Sequence, residues 1–113
     1  MIRKLTETEC KNAMEQGAFE PPQGSGAIIL TQSWCPQWTA MKNYLPQAEK
    51  AGDITILYVE YDIEAFFAEF MGFKENTYNN REIPYVLYFR EGIFSGESNY
   101  VSLQGFLHRL NLA

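Results

Sequence analysis

The sequence predicts an α/β fold, a mixed sheet with helices on both faces, in one domain spanning residues 1–113. Three observations lead there. Strand-patterned and helix-patterned runs alternate in the order β-α-β-α-β-α-β-β-α, the first strand near Ile2 to Leu5 being optional. The apolar run Ala27 to Thr31 shows no alternation, as in a strand buried on both faces at the centre of a sheet. Near the end, Tyr85-Val86-Leu87-Tyr88-Phe89 is β-rich, Arg90-Glu91-Gly92 reads as a turn, and Ile93-Phe94 returns as a second strand.

Each helix carries its own signal. Thr6-Glu7-Thr8-Glu9 is a capping box, with Leu5 and Cys10 placed as a hydrophobic staple. Cys10, Ala13, Met14 and Gly17 then recur at helical spacing as a buried stripe, which makes Cys10 a small core residue. Phe19 to Gly26 holds Pro21, Pro22, Gly24 and Gly26 and reads as a loop. In the second helix, Trp38 to about Lys50, the buried face is Trp38, Met41, Leu45 and Ala48, and Pro46 should kink it or end its regular part. Ile54 to Tyr61 is a strand by its β-branched and aromatic content. Asp62 is placed to cap a third helix with the stripe Ile63, Phe66, Phe67 and Phe70, and Lys74 to Glu82 should be an exposed polar loop. Ser102 caps a last helix with the stripe Leu103, Phe106, Leu107 and Leu110, leaving His108 on the outer face.

Composition narrows the function. A net charge of −5 and a pI near 4.8 argue against nucleic acid and anionic membrane surfaces as partners. No apolar run is long enough to span a bilayer, and Met1 to Glu7 lacks the apolar core of a secretory signal, so the cytoplasm is the expected location. The two cysteines, Cys10 and Cys35, fall on different predicted elements, and a structural bridge is not expected in a reducing compartment. With His108 as the only histidine, no metal site within one chain and no cofactor is predicted.

The candidate site is Ser33-Trp34-Cys35-Pro36-Gln37-Trp38, at the junction of the central strand and the second helix. There the unpartnered N–H groups of the first turn and the positive end of the helix dipole favour a thiolate over a thiol. Pro36 suits that turn because its missing N–H is one the helix does not use.

Together with Ile83-Pro84 ahead of the hairpin, Trp34-Cys35-Pro36-Gln37-Trp38 resembles the thioredoxin family, in which a Trp-Cys-x-x-Cys motif at a helix start faces an Ile-Pro peptide in the cis form. The resemblance covers roughly Ala27 to Leu110. It implies a thioredoxin-like three-layer sandwich, a cis Ile83-Pro84 bond, Cys35 as nucleophile, and a substrate surface formed by Trp34, Pro36, Gln37, Trp38, Ile83 and Pro84. Three departures are evident. Trp38 stands where the second cysteine would be, Ile29 stands at the family's buried acid, and the helix proline comes later, at Pro46.

Trp38 cannot attack a mixed disulfide. The first functional reading is therefore a monothiol thiol–disulfide oxidoreductase acting through Cys35 on protein or small-molecule thiols and disulfides, with release by an external thiol such as glutathione. The second is a redox-inactive protein-binding module that uses the groove around Trp34, Trp38 and Pro84. In a third, two chains and added glutathione hold an iron–sulfur cluster as in monothiol glutaredoxins, but the glycine-containing motif after the cysteine is missing.

Overall fold

The chain lays its most apolar segment down the middle of a sheet, and everything else packs against it. In the computed structural model, residues 1–112 are described. They form five strands, β1 (Ile2–Lys4), β2 (Ser25–Thr31), β3 (Ile54–Glu60), β4 (Tyr85–Arg90) and β5 (Ile93–Ser98). Four helices accompany them, α1 (Glu7–Gln16), α2 (Pro36–Lys50), α3 (Phe67–Tyr78) and α4 (Leu103–Arg109). The sheet order is β1-β3-β2-β4-β5. β1, β3 and β2 run parallel, whereas β4 is antiparallel to β2 and to β5. Parallel pairs need crossovers, and α1 and α2 supply them.

β2 feeds both layers. Ile28 and Leu30 join Leu5, Cys10, Ala13, Phe66 and Phe70 on the α1/α3 face. Ala27 and Ile29 join Trp38, Met41, Leu45, Phe106 and Leu110 on the α2/α4 face. The alternation of side chains along a strand makes this division, and burial on both sides hides it from the hydropathy pattern. At the start of β2, Gly26 lies so close to Thr55 of β3 that a Cβ would fall inside contact distance of the Thr55 carbonyl oxygen.

Several helix boundaries follow the sequence. Thr6 Oγ1 accepts from the Glu9 N–H at 3.0 Å, and Glu9 Oε1 accepts from the Thr6 N–H at 2.8 Å. Ser102 Oγ accepts from the Gly105 N–H at 3.2 Å, and His108 is exposed. Others are corrected. Gly17 caps α1 at φ 78, a left-handed position where a Cβ is strained, and does not continue the buried stripe. α2 runs through Pro46 to Lys50, with Pro46 on the exposed side.

The largest correction concerns the third helix. Tyr61–Ile63 is a separate 3-10 turn, α3 begins only at Phe67, and Ile63 is 58% exposed. α3 also continues to Tyr78, into the stretch expected to be a polar loop. Phe70 and Lys74, four residues apart, therefore share its buried face.

Candidate functional site

β2 ends at Thr31, and three residues carry the chain to the start of α2. That crossing is tied down by the next loop. Asp62 accepts from the Ser33 N–H at 2.7 Å and from Ser33 Oγ at 2.6 Å. Asp62 thus clamps the approach to Cys35 and does not cap α3, whose N-cap position is Phe66. Trp34 donates its indole N–H to Gln32 Oε1 at 2.7 Å and is 64% exposed, with its ring at the surface.

Cys35 is the N-cap residue of α2, with φ −72 and ψ 120, and Pro36 follows it in the first helical turn. Its carbonyl accepts the Thr39 N–H at 3.0 Å and the Thr39 hydroxyl at 3.3 Å. No side chain caps this helix, and its first turn contains no acidic residue. The start of α2 therefore keeps its electropositive character. The sulfur turns toward the other chain segment of the site, donating to the Ile83 carbonyl oxygen at 3.8 Å. The Ile83–Pro84 peptide bond is cis. Cys35 is 5% exposed, Pro84 is buried, Ile83 is half-buried, and Pro36 and Gln37 are exposed.

Trp38 is a correction to the expected substrate surface. It is 1% exposed and belongs to the core beneath α2. Its indole N–H donates to Glu60 Oε2 at 2.8 Å, and its ring meets Tyr58 with centroids 5.4 Å apart. Glu60 also lies 3.4 Å from Lys42 Nζ and 3.7 Å from Lys4 Nζ. A tryptophan at this helical position points inward for the same reason as Met41, Leu45 and Ala48: all lie on one stripe.

The segment facing Cys35 is held from behind. Lys74 is 0% exposed, donates to the Glu82 carbonyl at 2.6 Å and to Asn80 Oδ1 at 3.3 Å, and lies over the Tyr85 ring. Asn99 Nδ2 reaches the carbonyls of Pro84 at 3.1 Å and Glu82 at 3.3 Å. Asn80 Oδ1 accepts the Glu82 N–H at 2.9 Å. Burial pushes the Lys74 ammonium down to about 8, since desolvation outweighs the attraction of Glu75 and Glu82. Lys74, Asn80 and Asn99 were not singled out in the sequence. The available signal was the i, i+4 relation of Lys74 to Phe70, masked by the polar residues around it.

Cys10 belongs to the opposite layer. It is 0% exposed, and burial, followed by the charges of Glu64, Glu9 and Glu7, pushes its thiol up to about 12. Cys10 packs on the α1/α3 face and Cys35 on the α2/α4 face, so the sheet separates them. Both are free thiols. Among the described residues, no group of three or more His, Cys, Asp or Glu side chains converges as a metal site. No helix among them is long and apolar enough to cross a membrane.

The backbone decides the fold comparison. Thioredoxin O1 from Arabidopsis thaliana, in its oxidized state, superposes with a TM-score of 0.64 at 18% identity, covering 96% of each chain. The fold is thioredoxin-like. Thioredoxin O2 from the same plant, also oxidized, gives a TM-score of 0.65 at 17% identity over 96% of this chain and 93% of that one. A chain from a structure on the thiol resolving mechanism of yeast mitochondrial 1-Cys peroxiredoxin via glutathione/thioredoxin systems gives 0.64 at 16% identity, over 97% and 93%. No protein-family model matches the sequence, and no curated protein does. At these identities the likeness establishes architecture, and chemistry has to be argued from this chain's own residues.

Proposed function

We propose that this protein carries out monothiol thiol–disulfide exchange through Cys35. The observation that carries the reading is the uncapped start of α2, which presents one sulfur beside the Ile83–Pro84 segment while the only other cysteine lies behind the sheet. The Cys35 thiolate attacks a disulfide RS–SG, forming Cys35–S–SG and releasing RS⁻. A second glutathione thiolate then attacks the glutathione sulfur of that adduct. It forms GSSG and returns the Cys35 thiolate, so the cycle consumes one free glutathione thiolate and converts RS–SG into RS⁻ and GSSG. No second protein thiol is required. A glutathione-rich cytoplasm would supply the co-reactant. That external resolution fits Trp38 at the position of a resolving cysteine. It is also compatible with a fold shared with a structure concerned with a 1-Cys peroxiredoxin and glutathione/thioredoxin systems.

The substrate surface in this reading is Trp34, Pro36 and Gln37 on one side and Ile83-Pro84 on the other, without Trp38. The experiment is incubation with oxidised glutathione followed by intact-mass and peptide analysis. One glutathione adduct on Cys35, absent in Cys35→Ser and removed by reduced glutathione, is expected. A Cys35 that stays unmodified while the protein remains folded overturns the proposal.

A second reading is favoured by a different observation. Trp34 is 64% exposed while Cys35 is only 5% exposed, a surface suited to non-covalent docking of a protein. In that case Cys35→Ser leaves partner capture unchanged and Trp34→Ala abolishes it. Loss of all capture in Cys35→Ser rules this reading out.

A further inference from the structure

A basic cavity lies away from the Cys35 site, between α4 and the edge strand β5. It is a groove open to solvent with a volume of about 480 Å3, within the size range of small-molecule sites. Tyr88 and Gly96 contribute from the sheet, and Val101, Gly105 and His108 from the segment leading into and along α4. A side chain is missing at two places, Gly96 on β5 and Gly105 on α4, and a Cβ at Gly96 would meet open space. Arg90 and Arg109 complete the lining.

Both guanidiniums are held in place through part of their donor set. Arg90 donates Nε and Nη2 to the Arg109 carbonyl at 3.3 and 3.0 Å, which neutralises the carbonyl end of α4. Arg109 donates Nη1 to the Glu97 carbonyl at 3.1 Å and lies over the Tyr88 ring, 5.6 Å from its centroid. Arg90 Nη1 and Arg109 Nε and Nη2 make no hydrogen bond among the described residues. A guanidinium has five N–H donors in a rigid fork, so each retains donors in a fixed orientation. The other arginines are spent differently: Arg3 pairs with Glu9 and Arg81 with Glu75. Among the described residues, neither Arg90 nor Arg109 has a carboxylate at ion-pair distance. In a chain of net charge −5, two guanidiniums with no counter-charge among the described residues, beside a histidine and an open cavity, have the composition that recognises an anion.

We propose that this cavity binds a phosphate group of a small molecule, held by Arg90 and Arg109 with an N–H of His108 as a further donor. Donors arriving from three side chains suit a tetrahedral oxyanion, whereas a planar carboxylate is satisfied by one guanidinium fork. The site stands apart from the thiol chemistry, and Cys35→Ser is expected to bind phosphate as the parent protein does.

The test is titration with inorganic phosphate, and separately with phenyl phosphate, at constant ionic strength and pH, read by backbone amide NMR shifts. Saturable shifts at Gly96, Gly105, His108 and Arg109 are expected. In Arg90→Gln/Arg109→Gln the dissociation constant should rise at least about tenfold, the loss of charge-assisted bonds. Because Arg109 also braces β5, a second variant guards against a folding defect. Ser95→Glu, on the cavity lining, places a carboxylate there from within the chain and should abolish phosphate binding with the fold retained. Three results overturn the proposal: no saturable shift with either phosphate, acetate binding as tightly as phosphate, or unchanged phosphate affinity in folded Ser95→Glu.

Discussion

Cys10 and Cys35 each sit near the start of a helix, each nearly sealed from solvent, on opposite faces of one sheet. The two helix starts treat their sulfurs differently. At α1 the free N–H groups are spent: Thr6 and Glu9 cap them reciprocally, and Glu7 and Glu9 place negative charge in the first turn. Cys10 then sits in an apolar layer with carboxylates around it, and its thiol is pushed up to about 12. At α2 no side chain takes the cap, no acidic residue occupies the first turn, and Cys35 is itself the N-cap residue. Nearness to a helix start places a sulfur in an electropositive setting only where the cap is not already occupied.

The widest gap should be in alkylation of the native protein. At pH 8 a thiol of pKa about 12 is ionised about once in 10⁴ molecules, and Cys10 has no solvent exposure. Cys35 should be labelled by iodoacetamide under native conditions and Cys10 only after unfolding, as peptide mass spectrometry resolves. Native labelling of Cys10 at the rate of Cys35 would erase the distinction.

Trp38→Cys tests how far the α2 face tolerates a second thiol. It removes a buried indole and the donor to Glu60, so a loss of about 3–5 kcal/mol is expected from urea unfolding. Trp38→Phe, which keeps most of the volume, should lose only about 1 kcal/mol, because Glu60 gives up the indole donor but keeps Lys42 and Lys4 beside it. A Trp38→Cys variant as stable as the parent would mean that Trp38 is not core.

On the opposite face, Lys74→Met should cost about 1–3 kcal/mol, because the Glu82 and Asn80 acceptors lose their donor. This residue also carries a pH signature. Its folded pKa of about 8 lies below the ordinary 10.5, so the unfolded chain binds the proton more tightly between those values. The protonated lysine is a burden below pH 8, and the stability of the parent relative to Lys74→Met should rise from pH 8 toward 10.5. A flat difference over that interval would contradict the buried ammonium.

The smallest effect is at the α1 cap. Arg3 grips both Glu9 oxygens, at 2.8 and 2.9 Å, and this hydrogen-bonded pairing holds the Glu9 carboxyl down to about 2. Its contribution is complete above the ordinary 4.5 and is lost as the pH falls toward 2. Glu9→Gln should cost about 1 kcal/mol or less at neutral pH, given the solvent screening, and nothing near pH 2. An equal cost at both pH values would place its role in shape and not in charge.

Where neighbours in the chain make the decision, the sequence was legible. Thr6, Glu9 and Ser102 cap the helices that their spacing announces, because a cap is settled within four residues. The run Ala27 to Thr31 lies in the central strand, and the expected turn is narrowed to Glu91-Gly92, since Arg90 ends β4 and pairs with Ile93. Cys35 at a helix start beside Pro36 could also be read directly. What remained hidden involves partners distant in the chain. Asp62 has the composition of a helix cap, yet Ser33, 29 residues earlier, offers it two donors and takes it. Lys74 reads as loop because it is charged, whereas the carbonyl of Glu82 and the ring of Tyr85 make a buried ammonium tolerable. Trp38 is legible as part of the buried stripe of α2, and the contact surface suggested by its place near a cysteine gives way to it; what the sequence does not show is its partners, Glu60 and Tyr58 on β3. Local bonding determined the caps, the turn and the sheet core by itself. Only the packed layers decided which polar groups found partners, because burying a polar side chain is favourable only once folding has delivered the group that satisfies it.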